Sequence, residues 1–137
     1  MEKNDATGNS NPQFIIHQAM TVFVLYPGYS KEVAVLIYGA LKSNASINRW
    51  GSVMIACKKS ECFHPLSIQS FQSLCRVLLG ETPSESTVKK SLEAITKAFQ
   101  TENNKRNNER DAEWRTYTRN LANAIRVACG LPAIEIK

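Results

Sequence analysis

The chain has 137 residues, 43% of them hydrophobic, and a formal net charge of +5 at pH 7. This length and composition predict one folded domain with a hydrophobic core and exclude wholesale disorder. The charge permits a polyanionic partner but does not require one, and it is far below that of a histone-like tail.

The N-terminus and the cysteines bear on location. The first residues are polar and lack the apolar stretch of a secretory signal, so the four cysteines are expected to be free thiols. No apolar run reaches the roughly 20 residues of a membrane span, so we expect no membrane partner. We therefore predict an intracellular, cytoplasmic protein.

The N-terminal third predicts a tail and two helices. Residues 1–10 are polar and mixed in charge, which is typical of a flexible tail. A helix is predicted from 11 to 26, because its initial Asn-Pro suits the N-cap and the first helical position. Pro27-Gly28 ends it, and Ser30 is the predicted cap of a second helix over 31–43.

The same segment also permits a β-hairpin. Residues 21–26 and 33–38 are rich in β-branched and aromatic side chains, and Pro27-Gly28 between them suits a type II turn. Periodicity does not distinguish short apolar runs. An α+β fold with an N-terminal hairpin is therefore the alternative to an all-α fold.

The middle of the chain predicts three more helices. One runs from about 47 to 59 behind Ser46, and the next begins at Ser67 and ends at Gly80. The third begins at Thr82-Pro83-Ser84-Glu85, the clearest capping pattern in the chain. There Thr is the expected N-cap, Pro the first helical residue, and Glu the partner that closes a capping box.

The last predicted helix runs from about Asn108 to Cys129, beyond an asparagine-rich polar stretch. Gly130 suits a left-handed stop, and Pro132 prevents continuation. The prediction is thus an all-α single domain over residues 11–130, built as a compact bundle of five or six helices.

Residues 131–137 predict a short extended C-terminal arm. Ile134 and Ile136 alternate with Ala133 and Glu135, which suits a segment lying along a surface. Contact with a neighbouring subunit and packing on the arm's own bundle are equally open alternatives.

Three arginines of the last helix share one face, because Arg115, Arg119 and Arg126 recur at steps of four and seven. A second face carries the apolar side chains Trp114, Tyr117, Leu121, Ile125 and Ala128. One side is expected to enter the core while the other offers guanidinium groups to a partner.

Cysteine and histidine provide the one constellation of metal-ligand residue types. Cys57, Cys62, His64 and Cys75 do not follow a common zinc spacing, and Cys57 and Cys75 lie on apolar helix faces. Core thiols are favoured over zinc, and we predict no metal and no cofactor.

No catalytic group is predicted either. A nucleophilic Cys62 with His64 as its base would need a third group and an oxyanion site, and none is recognisable nearby. The clustered carboxylates Glu109, Asp111 and Glu113 each have an arginine within reach at helical spacing, which favours structural pairing over acid–base chemistry.

Two basic segments provide the predicted nucleic-acid contacts. Guanidinium and ammonium groups suit phosphate oxygens, and the rings of Trp50, Trp114 and Tyr117 are candidates for stacking on bases. Interleaved acidic residues leave a merely solvated charged face as the alternative. The predicted contact residues are Arg49, Lys58, Lys59, Lys105, Arg106, Arg110, Arg115, Arg119 and Arg126.

Together these features predict a non-enzymatic, self-assembling protein that binds nucleic acid through backbone phosphates, RNA more readily than DNA, and without sequence specificity. Small basic helical proteins of this kind occur among viral coat and nucleocapsid proteins, which is an analogy of class alone. The alternative is a helical protein-interaction or adaptor module whose basic face binds an acidic partner.

Overall fold

The computed structural model describes residues 19–43, 46–104 and 108–137. Five α-helices lie within these residues, and the only β-pairing among them is one isolated bridge, so the all-α prediction is confirmed. The predicted tail, the start of the first predicted helix, and Lys105 and Arg106 lie outside the described residues. The helices are α1 (Ser30–Ser43), α2 (Asn48–Ser60), α3 (Ile68–Leu79), α4 (Glu85–Gln100) and α5 (Glu109–Ala128).

The segment before α1 corrects two predictions. The hairpin is wrong, because residues 33–38 are helical, and the helix predicted to continue to Tyr26 is wrong over 21–26. That segment instead forms turns and an antiparallel bridge between Val24 and Phe63. The amide of Leu25 donates to the carbonyl of Cys62 at 2.8 Å, a contact between residues far apart in the chain that no local pattern indicates.

Helix α2 is the centre of the bundle, packed against α4, α5 and α1. Every residue from 50 to 57 is buried, as expected of a helix covered on all sides. Its small residues permit close approach. The amide of Gly51 donates to Ser91 Oγ of α4 at 2.7 Å, and the hydroxyl of Ser52 lies 2.6 Å from that of Thr118 of α5.

Local capping chemistry sets the start of three helices. Ser67 and Asn108 are N-caps as predicted, and each accepts a hydrogen bond from the amide three residues on. The predicted cap Thr82 is wrong, because Ser84 caps α4 by accepting from the amide of Thr87 at 3.2 Å. Thr82 Oγ1 accepts instead from Arg76 Nε of α3 at 3.2 Å.

Helix α5 ends in the motif that its sequence predicts. Gly130 adopts a left-handed conformation with φ of 77°. The amide of Leu131 donates to the carbonyl of Arg126 at 2.9 Å, and that of Gly130 to Val127 at 3.0 Å, which together form a Schellman motif. The chain turns back at this point.

The C-terminal arm lies on its own bundle in this structure. The side chain of Ile136 is buried in the core. Asn123 of α5 donates to the carbonyl of Ile134 at 2.8 Å and accepts from its amide at 2.9 Å, as a neighbouring strand would. Of the two alternatives for the arm, the described chain therefore adopts back-packing.

None of the helices in the described part of the chain combines the length and hydrophobicity needed to cross a membrane.

Candidate binding cleft

The face that carries Arg115 and Arg126 is turned inward. Only 3% of Arg115 and 8% of Arg126 is exposed. Arg115 Nη1 donates to the carbonyl of Ala98 at 2.6 Å, and Arg126 donates to the carbonyls of Pro132 and Ser60 at 2.9 and 3.1 Å. The expectation that these two guanidinium groups face a partner is wrong, because their donors satisfy backbone carbonyls at element ends.

Arg119 is half-buried and joins three parts of the chain. Its two terminal nitrogens bond both carboxylate oxygens of Glu102 at 2.7 and 2.6 Å, and its Nε donates to the carbonyl of Ile136 at 2.8 Å. The Nε of Arg115 lies 3.6 Å from the same carboxylate. Glu102 thus holds Arg115 and Arg119 of α5 against the end of α4. The contact of Arg119 with nucleic acid stays a prediction.

The remaining predicted basic residues lie in different surroundings. Lys58 and Arg110 are exposed, and Lys59 is partly buried. The guanidinium of Arg49 lies 4.4 Å from the ring centre of Trp50, and that ring is itself buried.

Lys58 and Lys59 both line a cleft. It has a volume of about 760 Å³, and its walls are α2, the loop between α2 and α3, and α4. The amide of His64 holds this loop in place by donating to the carbonyl of Phe23 at 2.9 Å. The volume lies within the range of about 300–1,000 Å³ that is typical of small-ligand sites.

The interior of the cleft is mainly apolar and partly aromatic. Phe63 and Leu66 come from the loop, Met54 from α2, and Leu92 and Phe99 from α4. Phe63 is nearly buried, whereas Phe99 is only partly buried and keeps its ring in the cleft. Such a surface accepts a flat or aliphatic group that gains from leaving water.

The polar lining of the cleft is cationic. Its charged side chains are Lys58 and Lys59, and among the described residues that line it there is no carboxylate. His64, Thr96 and Gln100 add further polar groups. Burial lowers the pKa of the Lys59 ammonium, and the positive charges of Arg119 and Lys58 lower it further, against a smaller opposing effect of Glu102. An anionic group at this position would relieve that repulsion.

Two cations lie close to the ring of Phe99. The Lys59 ammonium is 4.4 Å and the Arg119 guanidinium 5.0 Å from its centre. Sequence reasoning selected Lys58 and Lys59 but missed Phe63 and Phe99 and proposed Trp50, Trp114 and Tyr117 as stacking rings. Trp114 and Tyr117 contact each other edge to face at 5.8 Å. No local pattern identifies the cleft, because its walls come from three separate segments.

The four cysteines do not line the cleft. Cys57, Cys62, Cys75 and Cys129 are all buried, which confirms the prediction that Cys57 and Cys75 are core residues. His64 is exposed, whereas the thiol of Cys62 donates to the carbonyl of Ser60 at 3.4 Å. No group of three or more His, Cys, Asp or Glu residues in the described ranges is arranged to hold a metal ion.

The thiols are expected to react slowly in the folded protein. Burial raises the pKa of Cys75 and of Cys129 to about 12 and that of Cys57 further. At pH 8 only about one in ten thousand Cys75 side chains is then a thiolate. Titration with a chromogenic disulfide reagent should give four thiols in denaturant and none in the first minutes without it. A thiol that reacts at once in the native protein would contradict this arrangement.

Comparison with known proteins gives no match: no protein-family model, no curated protein and no solved structure matches this chain.

Proposed function

We propose that this chain is a non-enzymatic nucleic-acid-binding protein that contacts backbone phosphates without sequence specificity and assembles with copies of itself, as coat and nucleocapsid proteins do. The observation that carries the proposal is the cleft, where Lys58 and Lys59 stand beside two phenylalanine rings. Proteins that bind single strands without specificity combine cations for the phosphates with rings for the bases. RNA is the favoured nucleic acid.

The proposed site is narrower than the basic set taken from the sequence. Lys58 and Lys59 belong to it because they line the cleft. Arg115 and Arg126 are left out because their guanidinium groups are buried against backbone carbonyls. Arg110 is exposed on the first turn of α5, where Glu109 and Asp111 flank it, and it is a weaker candidate.

Self-assembly is supported by apolar side chains on the surface. Val35 and Tyr38 lie one helical turn apart on α1 and are exposed, and Val22 and Tyr29 are exposed in the segment before it. The neighbouring exposed side chains of Val35 and Tyr38 on one helix face suit a contact between proteins.

The direct test is the mass and absorbance of protein purified without nuclease. Size-exclusion chromatography with light scattering should show a large particle whose 260/280 nm absorbance ratio falls after a high-salt wash. A monomer or dimer that is free of nucleic acid at both salt concentrations would contradict the proposal.

The double variant Lys58→Gln/Lys59→Gln is expected to bind a labelled oligouridine more weakly and with less dependence on salt. Each phosphate contact on a single strand contributes about 0.7 to the slope of log K against log salt. Removing two contacts should therefore reduce the slope by about 1.4. Fluorescence anisotropy at four or five salt concentrations measures both quantities.

Lys31→Gln/Lys42→Gln is the matched control, because it removes the same charge from exposed positions on α1. The control should leave the slope within about 0.3 of the wild-type value. Equal losses in the two double variants would show diffuse binding over the whole surface, and the cleft would no longer be the site.

A protein-interaction module is the second candidate, because the apolar interior and cationic rim of the cleft also suit an acidic amphipathic segment. Such binding depends on buried apolar anchors and responds less steeply to salt. A shallow salt dependence with high affinity for an acidic peptide would favour it.

A further inference from the structure

The cleft combines a site for a flat apolar group with a site for an anion. Phe99 and Leu92 of α4 face Met54 of α2 across it, and Lys58 and Lys59 follow Met54 by about one helical turn. One bound group can therefore place an uncharged ring inside the cleft and a negative charge at its rim.

Phe99 is suited to stacking. Its ring is not part of the buried core, and the Lys59 ammonium lies 4.4 Å from its centre. A cation this close interacts with the electron-rich face of the ring. A base that stacks on Phe99 would displace this ammonium, which is then free to approach a phosphate of the same nucleotide.

Lys59 can exchange the ring of Phe99 for a phosphate, because the nearby carboxylate of Glu102 is already bonded to another cation. Both oxygens of Glu102 accept hydrogen bonds from Arg119, at 2.6 and 2.7 Å. Lys58 is exposed on the same rim. Two ammonium groups thus belong to the cleft at which the phosphates of a bound strand would pass.

We propose that the cleft binds an unpaired nucleobase against the ring of Phe99 and that Lys58 and Lys59 hold the flanking phosphates. This inference rests on the proposed nucleic-acid binding and adds the class of ligand: single strands, not duplexes. In a duplex each base is paired and stacked on its neighbours, so a duplex offers the rim its phosphates but offers the cleft no base.

The test compares three labelled ligands of equal length: an oligouridine 12-mer, the same backbone with abasic sites in place of every base, and a 12-base-pair duplex. Fluorescence anisotropy at one low salt concentration gives each Kd. We expect the intact single strand to bind on the order of tenfold more tightly than the abasic strand, as the loss of a stacked base implies.

Phe99→Leu should remove this preference by weakening the intact strand about tenfold, with the abasic strand unaffected. Phe99→Trp keeps an aromatic ring and should restore the preference. Thermal unfolding of both variants checks the fold, and rescue by tryptophan separates loss of stacking from loss of structure.

The outcomes separate this inference from the proposed function. No binding of any ligand overturns both. Equal binding of all three ligands, or a preference that Phe99→Leu leaves intact, overturns the inference while nucleic-acid binding stands. A labelled peptide of alternating leucine and glutamate whose binding requires Phe99, together with oligouridine binding that does not, assigns the cleft to a protein partner and overturns the inference.

Discussion

The variant Gly51→Ala is expected to unfold roughly 10 °C below the wild-type protein, which corresponds to a loss of about 3 kcal/mol. A methyl group at this position of α2 would lie against the carbonyl of Ser91 in α4, 2.5 Å from its carbon and 2.7 Å from the amide nitrogen of Leu92. These are backbone atoms that no rotamer change can move. The two helices must separate, and the hydrogen bond from Gly51 to Ser91 Oγ lengthens.

Gly39→Ala is the matched control, since Gly39 also lies inside a helix but has no atom within 4 Å of the added methyl position. Alanine is a better helix former than glycine, so this variant should gain about 0.5–1 kcal/mol. Thermal unfolding followed by circular dichroism measures both variants. A Gly51→Ala protein as stable as Gly39→Ala would show that α2 and α4 are not in close contact.

The variant Glu102→Gln is expected to lose about 1–3 kcal/mol at pH 7. The wild-type carboxylate bonds Arg119 through both oxygens and lies 3.6 Å from Arg115, which has only 4% of its side chain exposed. A neutral amide removes the carboxylate charge that lies beside both guanidinium groups. Glu102 keeps 33% of its side chain exposed, so water screens the loss and it stays below that of a fully buried pair.

The stability difference between the wild-type protein and Glu102→Gln should shrink as the pH falls. Hydrogen bonding from Arg119 lowers the pKa of Glu102 below its ordinary value of 4.5, burial opposes the shift, and the charges of Arg119, Arg115 and Lys59 add to it. The unfolded chain therefore takes up the proton first as pH falls. The stability contributed by this carboxylate is complete above about pH 4.5 and is lost as pH falls through the folded value.

Urea unfolding at pH 7 and near pH 2.5 measures both effects, with the exposed Glu93 of α4 as the control position. Wild-type and Glu102→Gln proteins should differ at pH 7, and the difference should be smaller at pH 2.5, while Glu93→Gln stays within about 0.5 kcal/mol of wild type at pH 7. An undiminished difference at pH 2.5 would show that the loss comes from packing and not from charge.

Sequence patterns located most of the helices because the information there is local. Ser67, Gly80, Asn108 and Gly130 act within one turn of their own positions, and the structure places each at the predicted helix end. The prediction of Thr82 as N-cap was wrong because Ser84, two residues on, offers an equivalent hydroxyl and caps α4. Thr82 accepts instead from Arg76 of α3, a contact that the local pattern does not contain.

The candidate site was less predictable because its contacts join distant residues. Arg126 donates to the carbonyl of Ser60, 66 residues away, and a helical pattern that counts arginine as polar places it outside. Lys58 and Lys59 were selected by charge alone. The pairing of Lys59 with Phe99 depends on the packing of α2 against α4, which the sequence does not specify locally.

The arm over residues 131–137 is recognised almost entirely through its main chain. Arg126, Arg119 and Asn123 bond backbone atoms of Pro132, Ile136 and Ile134, and none of these bonds depends on which side chain the arm residue carries. The side chains that pack on the core are the buried Ile136 and the partly buried Leu131. Helix α5 therefore serves as a template for an extended peptide. The hydrogen bonds to the main chain fix the path of the arm along the helix, and the exposed positions of the arm can carry other side chains.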